Sequence, residues 1–205
     1  MPKTAALILA AGKGTRMHSD KPKVLQTLLG EPMLACVLEA LRPVFGEDVW
    51  IVAGHRADLV QAAFPQARFV LQKEQLGTGH ALLQALPALT EAGCSQVLVV
   101  NGDVPLLSES LVRQFLAEGM GADLAFATIE VDNPGAYGRV VRRDDAVTAI
   151  VEAKDYDPAL LGPASNEVNA GMYLCDLAAA AQLLPQVGNK NKSFKLASQW
   201  KTKVP

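Results

Sequence analysis

The chain has 205 residues and a net charge of −2; half of its residues are hydrophobic and a fifth are charged. This composition excludes a chain that is disordered throughout, which would have fewer apolar residues and a larger net charge. A nearly neutral chain has no basic field to hold a polyanion, so nucleic acid is not an expected partner. The length suits one compact domain with a substantial core.

The first apolar run is too short to cross a membrane. It covers seven residues, Ala5 to Ala11, whereas a bilayer needs roughly 20, and it leads into a glycine-rich loop and not into a cleavage site. The three cysteines, Cys36, Cys94 and Cys175, lie far apart with no Cys or His at metal-ligand spacing. We therefore expect a cytoplasmic protein with reduced thiols and no membrane contact.

Short runs rich in Val, Ile and Leu alternate with longer amphipathic stretches through the first half of the chain. This pattern predicts strands that alternate with helices in an α/β sheet. The predicted strands are Thr4 to Ala10, Asp48 to Ala53, Ala67 to Gln72 and Gln96 to Asn101. The predicted helices are Pro32 to Leu41, Ala57 to Phe64, Thr78 to Leu86 and Glu109 to Glu118.

Beyond Asp123, strand-like segments follow one another before a last helix from Asp176. Turn residues separate these segments, and Arg143-Asp144-Asp145 is expected to close a hairpin. The pattern predicts a mixed sheet with a smaller β-rich subregion. The predicted strands are Leu124 to Val131, Arg139 to Arg142, Val147 to Val151 and Val168 to Cys175.

A glycine-rich loop follows the first strand, where a doubly wound sheet places its ligand crevice. Its small residues would let backbone N–H groups approach a phosphate closely, and basic side chains could neutralise the charge. The loop matches neither the Rossmann nor the P-loop pattern, since Met17 stands where the Rossmann motif has its third glycine. We interpret it as a nucleoside triphosphate site, with an ordinary glycine turn as the alternative. The basic residues are Lys13, Arg16, Lys21 and Lys23.

Two further segments are predicted to lie at the same edge of the sheet. Asp103, after the fourth strand, could bind Mg²⁺ between phosphates, although a helix cap or turn would also explain it. Gln72 and the segment from Gln75 to His80 could hold a base or ribose, with a helix entry capped by Thr78 as the alternative. His80 is interpreted as a structural helix residue.

Polar groups in the second half of the chain are weak signals singly. Each lies at a predicted turn or strand end, so together they could bind the hydroxyls of a sugar. They are Tyr137-Gly138-Arg139, Glu152 and Glu167-Val168-Asn169-Ala170-Gly171.

In combination, these motifs resemble the uridylyltransferase domain of the bacterial bifunctional N-acetylglucosamine-1-phosphate uridylyltransferase/glucosamine-1-phosphate N-acetyltransferase. The likeness covers residues 4 to about 191, and the Q-L-G-T-G-H-A segment with Val151 to Asp155 favours this family over other sugar nucleotidyltransferases. It implies a Rossmann-like α/β fold with a mixed, mostly parallel sheet and helices on both faces. The motifs are L-A-A-G-K-G-T-R-M, P-K-V-L, Q-L-G-T-G-H-A, G-D-V-P-L, Y-G-R, I-V-E and N-A-G.

The resemblance also implies the ligands and the reaction. The sugar phosphate N-acetylglucosamine 1-phosphate would attack the α-phosphorus of UTP in line, releasing pyrophosphate and leaving UDP-N-acetylglucosamine for peptidoglycan and lipopolysaccharide synthesis. Alignment and charge neutralisation would carry catalysis, with neither a general base nor a covalent intermediate.

The site residues that the resemblance implies fall into four groups. Arg16 and Lys23 would steady the phosphates, Asp103 would bind Mg²⁺, and Gly102 before it would contact the substrate. Uracil would lie near Gln72, Gly77 and Thr78. The nucleotide would be held by backbone groups of Leu9, Ala10, Ala11 and Gly12, and the acetamido sugar by Gly138, Glu152 and Asn169.

The chain departs from the family pattern near its end. Residues 192–205 contain four lysines, no acid and no apolar periodicity, so we expect a loosely ordered, non-family tail after a nucleotidyltransferase domain at 1–191. The family continues with an approximate A-Q-G-E-Y-Y-L-T-D segment, an Asn that is a second Mg²⁺ ligand, and an acetyltransferase β-helix domain that carries trimer contacts.

Without these segments, acetyl transfer is not expected, and the trimer contacts are expected to be lost. Two alternatives to the uridylyltransferase stay open. One is a binding domain with little or no turnover, and the other is a transferase that uses another nucleotide.

Overall fold

The computed structural model describes residues 2–14, 19–144, 146–186 and 202–203. Its main strands are built from β-branched and other apolar residues, which favour a pleated, buried surface. In chain order the strands are β1 (Thr4–Ala10), β2 (Thr27–Leu28), β3 (Glu31–Pro32), β4 (Val49–Ala53), β5 (Arg68–Leu71), β6 (Gln96–Asn101), β7 (Leu124–Glu130), β8 (Arg139–Arg143), β9 (Ala146–Val151), β10 (Glu167–Asp176) and β11 (Thr202–Lys203).

The helices are amphipathic and begin at turns or at capping residues. Ser108 and Asp176 each accept a hydrogen bond from a backbone N–H of the first turn that follows them, which satisfies an otherwise unpaired donor. The helices are α1 (Met33–Phe45), α2 (Ala57–Ala63), α3 (Thr78–Glu91), α4 (Glu109–Gly119), α5 (Pro158–Leu161) and α6 (Leu177–Leu183).

The main sheet has the strand order β11-β7-β10-β6-β1-β4-β5. β1 is parallel to β4 and β6, and β4 is parallel to β5. β10 is antiparallel to both β6 and β7 and also pairs with β8, which forms an antiparallel hairpin with β9. The predicted mixed, mostly parallel sheet and the predicted hairpin are confirmed.

Alternate residues of β1 enter two different hydrophobic cores. Leu7 belongs to a core with residues of α3 and α6, whereas Ile8 belongs to a core with residues of α1 and α4. Both side chains are fully buried, as expected for a central parallel strand with helices on both faces. The predicted placement of helices on both faces is therefore confirmed.

Two helices are longer than the sequence predicts. α1 continues through Pro43 to Phe45, and α3 continues through Pro87 to Glu91, whereas the predictions end at Leu41 and Leu86. Proline removes one backbone hydrogen bond from a helix. Phe45 and Leu89, beyond the two prolines, are buried, and the burial of apolar side chains offsets that loss.

A small hairpin was not predicted. β2 and β3 flank Leu29 and Gly30, whose φ angles are +52° and +95°, the left-handed conformation of tight hairpin turns. Because Pro32 ends β3 and caps α1, the helix begins one residue later than expected.

Within the residues expected to form a loosely ordered tail, β11 pairs in parallel with β7. An edge strand presents unpaired backbone groups to any extended segment, so this pairing needs no apolar periodicity. Residues 187–201 and 204–205 lie outside the described part of the chain. Among the residues that the structure describes, no helix combines the length and apolar character needed to span a membrane.

Candidate functional site

A cleft of about 350 Å³ lies where β1 and β6 end. Carboxyl ends of parallel strands meet at one edge of a sheet, which is where open α/β sheets bind ligands. The cleft gathers most of the predicted nucleotide residues in one place. Its lining residues are Leu9, Ala10, Ala11, Gly12, Gly14, Lys23, Val24, Gln72, Gln75, Gly77, Thr78, Ala81, Asn101 and Asp103.

Backbone hydrogen bonds fix the start of the glycine-rich loop. The N–H of Gly102 donates to the carbonyl of Leu9 at 2.9 Å, and the N–H of His55 donates to the carbonyl of Ala11 at 3.2 Å. Gly14 has a φ of +59°, and a Cβ there would lie 2.9 Å from the Cβ of Lys23. Glycine is needed at this position because both the backbone angle and the contact exclude a side chain.

Lys23 and Asp103 form an ion pair at the mouth of the cleft. Lys23 begins a short 3-10 turn whose next residues, Val24 and Leu25, are buried and hold the turn against the sheet. The side chains of Lys23 and Asp103 keep 42% and 26% of their exposure, so solvent and ligands reach both. The arrangement places one cation and one carboxylate beside the glycine-rich loop.

The residues present fit a magnesium site that is completed by its substrate. No group of three or more His, Cys, Asp or Glu able to hold a metal occurs in the described part of the chain, but Mg²⁺ commonly takes one or two carboxylates with phosphate oxygens and water. Asp103 supplies the carboxylate, and the amide of Asn101 lines the same cleft.

Gln72 is buried at the other end of the cleft, with 3% of its surface exposed. Its Nε2 donates to the carbonyl of Gly77 at 3.2 Å and lies 2.9 Å from Nδ1 of His80. Gln75 donates from its Nε2 to the carbonyl of Gln72 at 3.2 Å. Because Gln72 and Gly77 flank the entry to α3, the turn and the helix start are held together.

The residues predicted for the sugar lie together, but outside the lining of the cleft. The N–H of Asn169 donates to the carbonyl of Gly138 at 3.0 Å, and a Cβ on Gly138 would lie 4.0 Å from Oε1 of Glu152. Gly138 precedes β8, Glu152 follows β9, and Asn169 lies in β10. The hairpin and β10 thus bring Gly138, Glu152 and Asn169 to one place.

An irregularity in β10 connects this group to the cleft. The register with β7 shifts between Asn169 and Tyr173, and Gly171 between them has a φ of +77°. The N–H of Gly171 donates to Oδ1 of Asn169 at 3.0 Å. A Cβ on Gly171 would lie 2.5 Å from Nδ2 of Asn101, so β10 reaches the cleft through Asn101.

Three groups of β10 have shifted pKa values: Glu167, Tyr173 and Cys175. Burial raises the pKa of Tyr173, whose hydroxyl accepts a hydrogen bond from Nδ2 of Asn169, so the phenol stays neutral near pH 7. The Arg142 guanidinium donates to both oxygens of Glu167 at 2.7 Å. This hydrogen bond holds the pKa of the Glu167 carboxyl below its ordinary value.

Cys175, near the C-terminal end of β10, is a buried thiol among apolar residues. Desolvation raises the pKa of Cys175 to about 12. A thiol in that state has almost no thiolate at neutral pH and is chemically inert.

Arg16, which was predicted to steady the phosphates, lies outside the described residues. Gly102 is buried behind the cleft, where a Cβ would meet Val24, the Leu9 carbonyl oxygen and Ile8 at 3.0 to 3.2 Å; its absent side chain lets β6 and the loop after β1 approach each other.

Gln75, which begins the segment predicted to hold a base or ribose, lines the cleft. Asn101 also lines it and was not predicted as a site residue. Its polar side chain directly before Gly102 and Asp103 was the signal that could have identified it.

Curated proteins of similar sequence were found for almost the whole chain. The chain is 60% identical to the bifunctional protein GlmU of Nitratidesulfovibrio vulgaris strain DP4 over 192 residues, which are 93% of this chain and 42% of that protein. It is 54% identical to the bifunctional protein GlmU of Oleidesulfovibrio alaskensis, covering 92% and 42% of the two chains. The chain thus spans less than half the length of these relatives.

A solved structure supports the fold. The crystal structure of HddC from Yersinia pseudotuberculosis has a TM-score of 0.71 at 22% identity, covering 100% of this chain and 90% of that one. The MobA-like NTP transferase domain matches residues 6–164, a range that contains the glycine-rich loop, Gln72 and Asp103. With the cleft, the sheet and the relatives in agreement, the chain belongs to the family of MobA-like NTP transferase domains and is homologous to part of GlmU.

Proposed function

We propose that this chain transfers the uridylyl group of UTP to N-acetylglucosamine 1-phosphate in the bacterial cytoplasm, giving UDP-N-acetylglucosamine and pyrophosphate. The observation that carries the proposal is the single cleft in which the glycine-rich loop, Gln72, Lys23 and Asp103 meet. Homology to GlmU supports sugar-1-phosphate nucleotidyl transfer as the class of reaction.

The phosphates of UTP would lie along the glycine-rich loop. Gly12 and Gly14 leave room for a phosphate next to the backbone, and Lys23 places an ammonium group at the same end. The attacking sugar phosphate and the triphosphate are both anions, so their approach is slow unless cations neutralise the charge. Lys23 would reduce this repulsion and leave its ion pair with Asp103 to do so.

Asp103 would hold the magnesium ion, with the amide of Asn101 as a neighbouring group in the cleft. When bound, Mg²⁺ neutralises charge on triphosphate oxygens and orients the pyrophosphate that leaves. An oxygen of the sugar phosphate forms the new bond to the α-phosphorus as the bond from that phosphorus to pyrophosphate breaks. The protein's part is to keep these groups in line.

The two organic parts of the substrates would lie at opposite ends of the site. Uracil would occupy the end formed by Gln72, Gly77 and Thr78, whose polar groups line the cleft. The acetamido sugar would lie against Glu152 and Asn169, which β10 connects to the cleft through Asn101. The two ends would then hold the two organic halves of a sugar nucleotide.

The test is pyrophosphate release by the 205-residue chain. The enzyme receives N-acetylglucosamine 1-phosphate with UTP, CTP or dTTP, in Mg²⁺ and in EDTA, and glucose 1-phosphate serves as the sugar control. We expect release with UTP, in Mg²⁺ only, and with preference for the acetamido sugar. Preference for CTP or dTTP would replace the proposal by a transferase for another nucleotide.

A chain without turnover calls for a binding measurement. Tight UTP binding with no pyrophosphate release under any condition would identify a nucleotide-binding domain with little or no turnover, and would contradict the proposed activity of this chain.

A further inference from the structure

His80 lies in the first turn of α3, next to the buried side chain of Gln72. It does not line the cleft, and its side chain is half-buried. Its Nδ1 lies 2.9 Å from the amide nitrogen of Gln72, and its Nε2 lies 3.4 Å from Nε2 of Gln84. The imidazole therefore stands between the buried glutamine and the exposed face of α3.

Two acceptors determine which way the Gln72 amide points. A backbone carbonyl can only accept, so the amide atom 3.2 Å from the oxygen of Gly77 is the nitrogen, which donates. That nitrogen has a second hydrogen, and Nδ1 of His80 is its partner at 2.9 Å. Nδ1 then accepts with a lone pair, so the neutral ring has its proton on Nε2; in this tautomer Nε2 and the Gln84 amide nitrogen are both donors and make no hydrogen bond to each other.

The orientation leaves Oε1 of Gln72 as an available acceptor. No donor of the described residues makes a hydrogen bond to this oxygen, and Oε1 is not among their fully buried unsatisfied atoms. Since Gln72 lines the cleft, its oxygen is available to a bound base.

We infer that His80 is a positioning residue that fixes the Gln72 amide with its oxygen toward the base and thereby sets the preference for uracil over cytosine. The inference rests on the proposed function. Uracil has an N3–H that donates to such an oxygen, whereas N3 of cytosine has a lone pair that an oxygen repels. A site that presents a fixed acceptor therefore favours UTP over CTP. An amide that is free to turn would present nitrogen or oxygen and would discriminate less.

The test measures the dissociation constants of UTP and CTP by titration calorimetry with Mg²⁺, which needs no turnover. His80→Phe keeps a flat ring but removes the acceptor, and His80→Asn puts an amide oxygen at the position of Nδ1. We expect the UTP preference to fall about tenfold in His80→Phe, the effect of one hydrogen bond, and to return to within about threefold of the wild-type ratio in His80→Asn.

The matched control is Gln84→Ala, which removes the neighbour of the other ring nitrogen. Its UTP preference should stay within about twofold of wild type, because Nδ1 and the Gln72 amide are untouched. A fall as large as in His80→Phe would overturn the role given to Nδ1. Circular dichroism establishes that each variant is folded, and His80→Leu replaces His80→Phe if the latter does not fold.

The outcomes separate this inference from the proposed function. A wild-type chain that does not prefer UTP over CTP contradicts the uridylyltransferase itself. A wild-type preference that survives unchanged in folded His80→Phe or His80→Leu contradicts only the role of His80. A reduced preference that His80→Asn restores supports both.

Discussion

The proposed nucleotide side and the proposed sugar side of the site are built on different kinds of sheet. On the nucleotide side, the glycine-rich loop follows the parallel strand β1, and Asp103 follows the parallel strand β6. Lys23 lines the same cleft. Gly138, Glu152 and Asn169 on the sugar side are joined by an antiparallel hairpin and by β10.

The difference has a physical cause. Parallel strands joined by helices all end at the same edge, so ligand groups placed after each strand meet without long-range pairing information. Antiparallel strands place a residue according to their register, which backbone bonds between distant segments determine. Substitutions on the sugar side should therefore leave nucleotide binding nearly unchanged, and substitutions on the nucleotide side should leave sugar binding nearly unchanged.

The largest effect is expected for the charge at the nucleotide side. Asp103→Asn should reduce Mg²⁺-dependent pyrophosphate release by about 10² to 10³-fold, since it removes the carboxylate proposed for the metal. The partly exposed side chain supports no core contact, so the thermal unfolding midpoint should change little. Glu91→Gln, at the far end of α3, is the control for charge, and a retained rate in Asp103→Asn would contradict the proposed metal site.

The second effect tests the close packing of the nucleotide side. A Cβ on Gly54 would lie 2.8 to 2.9 Å from the Gln72 carbonyl oxygen, Ala11 and Gln75. Gly54→Ala should reduce the free energy of unfolding in urea by about 1 to 3 kcal/mol and weaken UTP binding, because Gln72 must move.

Gly12→Ala is the stability control for this substitution. A Cβ on Gly12 meets nothing within 4 Å, so its free energy of unfolding should stay within about 0.5 kcal/mol of wild type. Equal stability losses in Gly12→Ala and Gly54→Ala would show that the contacts around Gly54 are not the cause.

The third effect tests the independence of the sugar side. Asn169→Ala removes the partner of Tyr173 and Gly171 and should raise KM for N-acetylglucosamine 1-phosphate about tenfold. KM for UTP should change less than about twofold. The control is Asn166→Ala, a substitution of a nearby exposed residue, which should change neither KM value. An equal rise in both KM values for Asn169→Ala would mean that the two sides are coupled.

The smallest effect is expected for the ion pair between Arg142 and Glu167, whose contribution to stability depends on pH. The pKa of Glu167 is lowered by Arg142, so the pair stabilises the fold above the carboxyl's unfolded pKa and stops doing so as the pH falls through the lower folded pKa. Glu167→Gln should reduce the free energy of unfolding by at most about 1 kcal/mol at pH 7. The difference should vanish as the pH falls through that lowered pKa and wild-type Glu167 becomes protonated; a difference that stays constant with pH would exclude the charge as its cause.

Sequence patterns predicted the parallel half well because its information is local. The buried strands β1 and β6 read as continuous apolar runs, and Gly12 and Asp103 follow them directly. Both were correctly expected at one edge. The two predicted helices ended before Pro43 and Pro87. A prediction from local sequence does not include the burial of Phe45 and Leu89, which the longer helices achieve.

Long-range features were less accessible to prediction. No local signal states that β10 lies between β6 and β7, or that Gly171 contacts Asn101. Polar residues at predicted turns and strand ends suggested a sugar site in the second half of the chain, and the resemblance then selected Gly138, Glu152 and Asn169 from that set. The orientation of the Gln72 amide depends on His80, and only the folded turn reveals that contact.

The position of β10 also imposes an order on the synthesis of the protein. β10 ends at Asp176, yet it separates β6 from β7 in the sheet. While the ribosome adds residues one at a time, β6 and its parallel partner β1 are both made long before β10 exists, and the other edge of β6 stays open. Exposed strand edges invite pairing with other chains. The nascent protein is therefore most exposed to aggregation in the interval between the synthesis of residue 101 and that of residue 176.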